Sequence, residues 1–270
     1  QAYKDYLDVG CNVLTTCTLQ ASVQALQEHL DIGVSEAEEL IAASVTLPQK
    51  IVQGKRTDDD VNCNPITNAA DIRIAGSVGS YGAYLYDGSE YTGDYTDKMS
   101  VEELRDWHRP RVQCLVRSGC DLLAFETIPA VQEALALMQL LREHPGIKAW
   151  LSFGCQDEKL TAKGECFKEA VQTVLGKDSE SQICAIGVNC CRPDVVCPLL
   201  KGVHEEGQPP LVAYTDAEFV PGMLVLEDHA QLGKNVAEWY DAGVRYFGGC
   251  CFTGADHITT IVQALAAMGV

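Results

Sequence analysis

Short runs of β-branched and apolar residues alternate along the chain with longer stretches in which apolar positions recur every three or four residues. The first pattern is that of strands buried on both faces, the second that of helices packed on a sheet. Strands are predicted at Asn12–Thr16, Asp71–Val78, Asp121–Phe125, Lys148–Phe153, Ile183–Val188, Leu211–Tyr214 and Arg245–Phe247. Helices are predicted at Ser35–Lys50, at Ser100–Arg117 with a capping Ser and acids in its first turn, and after Pro129. The last of these carries Val131, Ala134, Leu135, Met138 and Leu141 on one face and stops at Pro145-Gly146. Further helices are expected over Glu165–Leu175, Pro193–Glu205, Gln231–Asp241 and Ala255–Ala267.

Seven strands, each followed by a helix, make a parallel α/β fold. A helix at Ala2–Leu7 leads them without a strand of its own. The pattern therefore predicts a single (β/α)8 barrel domain over residues 1–270, with its first strand absent from the sequence. An open doubly wound sheet is the alternative. The length fits, since one such barrel takes about 250 residues. Two stretches, Gln53–Asn62 and Phe219–Glu227, fit no element and are expected to be loops. There is no linker, repeat or low-complexity tract.

Composition narrows the function. Hydrophobic residues make up 47% of the chain and charged residues 21%, ordinary for a globular protein. No apolar run approaches the roughly 18 residues that cross a bilayer, and no signal peptide is recognisable. A formal charge of −18 argues against nucleic acid as a partner, because phosphate backbones bind through Lys and Arg. Thirteen cysteines, an odd number without a secretory signal, point to reduced thiols and a cytoplasmic setting. Cys11, Cys114, Cys120, Cys184 and Cys197 lie in or beside apolar stretches and are expected to be small packed residues. The sequence sets no oligomeric state.

Two adjacent pairs stand apart. Cys190-Cys191 follows the strand Ile183–Val188, and Cys250-Cys251 follows the strand ending at Phe247 through Gly248-Gly249. Both pairs then lie at the carboxyl ends of strands, where barrels of this kind place their active sites. The glycines are expected to let the backbone bend so that neighbouring thiols reach one ion. Three thiolates on Zn²⁺ leave a fourth tetrahedral position open, as catalytic sites do. Soft sulfur favours zinc over magnesium or calcium.

The residues around the pairs carry a more specific signal. Gly187-Val188-Asn189-Cys190 and Gly248-Gly249-Cys250-Cys251 resemble the two zinc-binding motifs of the homocysteine S-methyltransferase family. The resemblance extends through Thr15-Thr16, Gln20-Ala21-Ser22, Gly76-Ser77-Val78-Gly79, Tyr81-Gly82-Ala83 and Asp87-Gly88-Ser89-Glu90-Tyr91-Thr92-Gly93. It continues in Phe125-Glu126-Thr127-Ile128-Pro129 and Ser152-Phe153, in the family's order over most of the chain.

The resemblance implies the (β/α)8 fold and a Zn²⁺ held by Cys190, Cys250 and Cys251, with no role for Cys191. It implies that homocysteine sulfur takes the open position as a thiolate and accepts a methyl group from a sulfonium donor. Glu126 then receives the substrate's amino group; the alternative is a first-turn acid favoured by a helix dipole. Asn189 is either a hydrogen-bonding partner for a zinc thiolate or the bound amino acid, or a turn residue. Ser77, Gly79 and Thr127 are expected near the ligand. Tyr81, Tyr84, Tyr86 and Tyr91 either meet a cationic donor or pack. His257 is read as a helix residue.

Two departures from the family's pattern bear on specificity. The Asp-Gly-Gly segment of the family's first strand is absent here. Where S-methylmethionine users carry Tyr-Pro-Asn-Ser-Gly-Glu, this chain has Tyr214 followed by Thr215-Asp216-Ala217-Glu218. S-methylmethionine and S-adenosylmethionine are therefore both expected as donors, with betaine second, and selenocysteine is an alternative acceptor. A silent zinc-binding barrel and a cysteine hydrolase are the readings from other classes. The hydrolase would want a His beside its nucleophile, and no motif supplies one.

Overall fold

The computed structural model describes residues 1–58, 72–216, 219–220, 223–224 and 229–270. Its centre is one sheet of seven parallel strands in sequence order. They are β1 (Val13–Thr15), β2 (Arg73–Gly79), β3 (Leu122–Ile128), β4 (Ala149–Phe153), β5 (Ile183–Asn189), β6 (Leu211–Thr215) and β9 (Val244–Gly249). Two short strands, β7 (Phe219–Val220) and β8 (Met223–Leu224), pair antiparallel within the stretch expected to be a loop. The rest of that stretch, 221–222 and 225–227, lies outside the described residues.

Helices cover one face of the sheet. They are α1 (Ala2–Asp8), α2 (Val23–Leu30), α3 (Val34–Asp58), α4 (Tyr81–Leu85), α5 (Val101–Arg117), α6 (Val131–Leu141), α7 (Phe167–Gly176), α8 (Pro193–Leu200), α9 (His229–Asp241) and α10 (Ala255–Ala267). Between sheet and helices lies the main core, in which Phe125, Leu137, Phe153, Phe167 and Trp239 are fully buried. Ser100 caps α5 through a reciprocal pair of bonds with Glu103, as its sequence predicts. None of the described helices is long and apolar enough to cross a membrane.

The opposite face holds a second, smaller cluster of Ala75, Ala124, Trp150, Ala185, Val212 and Tyr214. These alternate along their strands with the residues of the main core, which is why the strands are apolar on both sides. The sheet curls toward this face. Strands β3 and β6 are three places apart, about 14 Å in a flat sheet, yet the Tyr214 hydroxyl lies 2.8 Å from Oε2 of Glu126. The curl also brings the two ends of the sheet near each other. Tyr6 of α1 donates to the carbonyl of Thr253, just after β9, at 3.4 Å. No pairing joins β1 to β9 among the described residues, so the structure is a curled seven-stranded parallel sheet.

Several expectations are corrected. Helix α3 runs on to Asp58, so the first part of the expected loop Gln53–Asn62 is helical and 59–62 lies outside the described residues. Helix α8 ends at Leu200 rather than Glu205, because Lys201 turns extended and Gly202 takes φ 70°. Helix α2 was not expected. Ser22 caps it, but Asp31 closes it with φ 53° where a sequence signal would be glycine. Strand β3 continues to Ile128 instead of stopping at Phe125, and this decides where Glu126 points.

Candidate metal centre and substrate site

Strands β5 and β9 deliver the two cysteine pairs to the same end of the sheet, with Cys190 one residue past β5 and Cys250 one past β9. The amide of Cys190 donates to the Tyr214 carbonyl at 3.1 Å, and that of Cys250 to the Thr215 carbonyl at 2.8 Å. Strand β6 thus holds both loops from between them. The tight bends fall at Cys190, φ 51°, and at Phe252, φ 63°, rather than at the glycines expected to provide them. Gly249 is needed for another reason. A Cβ there would sit 2.1 Å from the Thr253 hydroxyl, which folds back to donate to the Cys250 carbonyl.

The sulfurs of Cys190, Cys250 and Cys251 and a carboxylate oxygen of Asp216 lie within 4.8 Å of one another. Cys190 and Cys251 are 3.9 Å apart, sulfur to sulfur. Zn–S bonds of ~2.3 Å in a tetrahedron set sulfurs about 3.8 Å apart, which matches the Cys190–Cys251 separation. Cys191 does not join them; it is buried in the main core. Hydrogen bonds from Cys190 and Cys250 pull the Cys251 thiol far down toward the thiolate, while the same contacts push Cys250 up. Burial, followed by the charge of Cys251, raises Asp216 to about 6. Tyr91, half exposed, lies with its hydroxyl 3.5 Å from the Cys190 sulfur. In the same loop Glu90 has a buried Oε2 with no hydrogen-bond partner among the described residues.

Beside the cluster runs a buried chain of polar side chains. Ser77 of β2 donates to Oε1 of Glu126, and Tyr214 approaches Oε2 at 2.8 Å. Ser152 of β4 lies 2.7 Å from the Tyr214 hydroxyl and donates to Asn189 Oδ1 at 2.7 Å. The indole of Trp150 donates to Tyr214 at 3.0 Å. Asn189 also accepts from the amide of Thr127 at 2.7 Å and donates to its hydroxyl at 2.8 Å. Thr127 has φ 56°, an uncommon conformation for a β-branched residue. The amide of Asn189 clamps that strained residue, and so fixes the backbone one position after Glu126. Burial raises the pKa of Glu126, opposed by its bonds from Ser77 and Tyr214 and by the charge of Arg111.

Glu126 and Ser77 line an open cavity of about 1010 Å³ together with Thr15, Thr16, Leu19 and Gln20. Cys190, Cys250 and Cys251 do not line it. Its wall is held from behind by the buried Arg111 of α5, which donates to the carbonyls of Leu19 at 2.9 Å and Gly79 at 2.6 Å. A Cβ on Gly79 would meet the Leu19 carbonyl at 2.5 Å, so this glycine supports the wall rather than facing the cavity. Arg111 also donates to Nδ1 of His108, leaving Nε2 to donate to the buried Glu133.

The structure therefore brings together Ser77, Glu126, Thr127 and Asn189, and separately the three cysteines, joined through the Asn189–Cys190 step. Glu126 belongs to β3, not to the first turn of a helix, and Asn189 bonds side chains rather than making a turn. Among the tyrosines, Tyr81 packs against Trp107 and Tyr95, while Tyr84 binds Glu28 at 2.9 Å. His257 accepts from the Gly254 amide at the start of α10. Trp150 and Arg111 carry no signal in the sequence, and Ser152, Tyr214 and Asp216 stood out there only as parts of motifs, with no role of their own. Ser152 and Tyr214 were findable, because they stand at inward positions near the carboxyl ends of their strands.

Comparison with known proteins adds a family to this geometry. A family model described as homocysteine S-methyltransferase matches residues 1–265. A betaine-homocysteine S-methyltransferase of Drosophila melanogaster is 37% identical over 93% of this chain and 78% of its own. Homocysteine S-methyltransferase 3 of Arabidopsis thaliana is 36% identical over 98% of this chain and 79% of its own. Among solved structures, the homocysteine methyltransferase MmuM of Escherichia coli in its metallated form superimposes with a TM-score of 0.83 at 33% identity, covering 97% of this chain and 82% of that one.

Proposed function

The chain belongs to the homocysteine S-methyltransferase family, and we propose that it uses Zn²⁺ to move a methyl group from a sulfonium donor to the sulfur of homocysteine. The observation that carries this reading is the convergence of three thiols and one carboxylate on a single point beside a buried carboxylate chain. Zn²⁺ supplies deprotonation of a coordinating substrate thiol at neutral pH.

The chain's own residues do the rest. Cys190, Cys250 and Cys251 hold the ion. Glu126 receives the amino group of homocysteine, and Asn189 keeps Glu126 in place through Thr127. Tyr91 sets its hydroxyl against the Cys190 sulfur. The unpartnered Oε2 of Glu90 offers a carboxylate to a cationic donor. In the transfer, the bond from the donor's sulfonium to its methyl carbon breaks and the bond from homocysteine sulfur to that carbon forms. The donor leaves as a neutral thioether, so no general base acts on the methyl step. We further propose that the curled sheet is the greater part of an eight-stranded barrel, whose remaining strand would lie between β1 and β9. The position of α1, tied by Tyr6 to the loop after β9, supports this.

The test measures zinc content and methionine formation with homocysteine and each of three donors: S-methylmethionine, S-adenosylmethionine and betaine. About one zinc per chain, as three thiolate ligands imply, with turnover on a sulfonium donor, both lost in Cys250→Ala, is the expected result. Turnover on betaine alone, as the name of the Drosophila relative would have it, replaces the sulfonium donor in this reading. Full activity without zinc overturns it.

A further inference from the structure

We propose that Glu126 carries a proton in the ligand-free protein, and that receiving a substrate ammonium expels this proton to solvent. The inference rests on the reading of Glu126 as the receiver of the amino group.

The buried chain holds too few hydrogens for its contacts if Glu126 is ionised. Asn189 Oδ1 cannot donate; it accepts from the Thr127 amide and from Ser152. The single hydroxyl hydrogen of Ser152 is therefore committed to Asn189. Ser152 and Tyr214 are nevertheless 2.7 Å apart, and either could be the donor. With the hydrogen of Ser152 committed, that contact takes the only hydrogen of Tyr214. The Trp150 indole adds a donor to Tyr214 but no hydrogen to the remaining contact. Tyr214 and Glu126 Oε2 still stand 2.8 Å apart. With Glu126 ionised, three close oxygen–oxygen contacts share two hydrogens, and one pair of buried lone-pair oxygens meets with nothing between. With Glu126 protonated, every contact carries one hydrogen.

The surroundings favour the neutral form. From β2, Glu126 faces the Ser77 hydroxyl, and from β6 the Tyr214 hydroxyl. From α5 the nearby cation is Arg111, whose two terminal nitrogens donate to the carbonyls of Thr18, Leu19 and Gly79 and to His108, while its Nε has no partner among the described residues. Its charge lowers the pKa of Glu126, but burial outweighs it. His108 is itself kept neutral, since burial lowers its pKa.

The step balances without electrons. The O–H bond of the carboxyl breaks and its proton leaves to solvent. Tyr214 then turns its hydrogen from Ser152 to Oε2, the Ser152–Tyr214 contact is left without one, and the pairing of the carboxylate with the arriving ammonium offsets that cost. The empty site thus holds no buried net charge, and the substrate's charge is matched only when it arrives.

Methionine, the reaction product, is the probe, because it carries the amino group but no thiol proton. Calorimetric titration of the zinc-loaded protein at neutral pH in two buffers of different ionisation enthalpy should report release of about one proton per methionine bound. Glu126→Gln should release none and weaken methionine binding by more than about tenfold. Infrared difference spectra should show the carbonyl stretch of a protonated carboxyl in the ligand-free protein, absent from Glu126→Gln and lost on saturation with methionine. Tyr214→Phe, which cuts the chain at its second link, should shift that band and so assign it independently. Absence of the band overturns the protonation. A band that saturating methionine leaves untouched overturns instead the reading of Glu126 as the receiver of the amino group.

Discussion

Removing the Asn189 side chain tests whether the buried chain holds the substrate site in shape. Asn189→Ala deletes three hydrogen bonds at a fully buried position and leaves the Thr127 amide and hydroxyl without a partner, while Ser152 keeps its contact with Tyr214. Each such loss costs about 1 kcal/mol net, and more where the orphaned group stays dry. The φ of 56° at Thr127 carries strain of order 1 kcal/mol that wild type already bears, and its relaxation in the variant offsets part of the loss. The net cost is about 2–3 kcal/mol, less if water fills the space. For a chain of this size that lowers Tm by about 4–5 °C. Thr127 adjoins Glu126, so relaxation of its backbone also misaligns the carboxylate. The KM for homocysteine should then rise by about tenfold or more, while zinc content is unchanged. Thermal unfolding, metal analysis and steady-state kinetics on the purified variant decide it. A Tm within about 1 °C of wild type with an unaltered KM would refute the clamp and leave Asn189 a space-filling residue.

Other perturbations separate the parts of the site. The pKa of Glu126 is raised in the folded chain, so its contribution to stability is fullest below the unfolded carboxyl value near 4.3 and is lost as pH rises toward the folded value. Wild type should therefore lose stability relative to Glu126→Gln over that range, read from urea midpoints; equal pH slopes would count against it. Glu90→Gln should raise the KM of a cationic donor and leave that of homocysteine alone, and the reverse pattern would remove Glu90 from the donor site. Arg111→Lys should destabilise by about 3 kcal/mol, since an ammonium cannot span the Leu19 and Gly79 carbonyls and His108 at once. Stripping zinc with a chelator should lower Tm in wild type and not in Cys250→Ala, by the linkage between metal binding and folding.

What the sequence disclosed follows from how locally each feature is encoded. The seven parallel strands and most of their helices were legible because both faces of each strand are apolar and each helix repeats its apolar stripe. Cys190, Cys250 and Cys251 were legible because they sit immediately past strand ends, whose direction fixes where the next residue lies. Glu126 was legible in type but not in place, since Thr127 enters the left-handed region without a glycine to announce it. The chain through Ser152, Tyr214 and Trp150 depends on the curl, which brings together strands that the sequence keeps far apart. Arg111 was hidden for the same reason: a charged residue in the middle of α5 looks solvated until the loops at Leu19 and Gly79 are seen folded over it.

The arrangement of the cysteines explains why a divalent ion belongs in it. Three thiols and a carboxylate within 4.8 Å cannot all ionise in the absence of a cation. Their affinities for protons are driven apart instead, with Cys251 pulled down, Cys250 pushed up and Asp216 raised to about 6 by burial and by the charge of Cys251. The metal-free cluster shares one thiolate among neighbours that must remain protonated. A divalent ion held by these residues would take the place of those protons and relieve the repulsion among the three thiolates. Asp216 then has two places to go: on the ion, or on the Cys251 amide that it already accepts from at 3.2 Å. In the second case three thiols would hold the ion and leave it open to a further sulfur ligand, as a site that takes substrate requires.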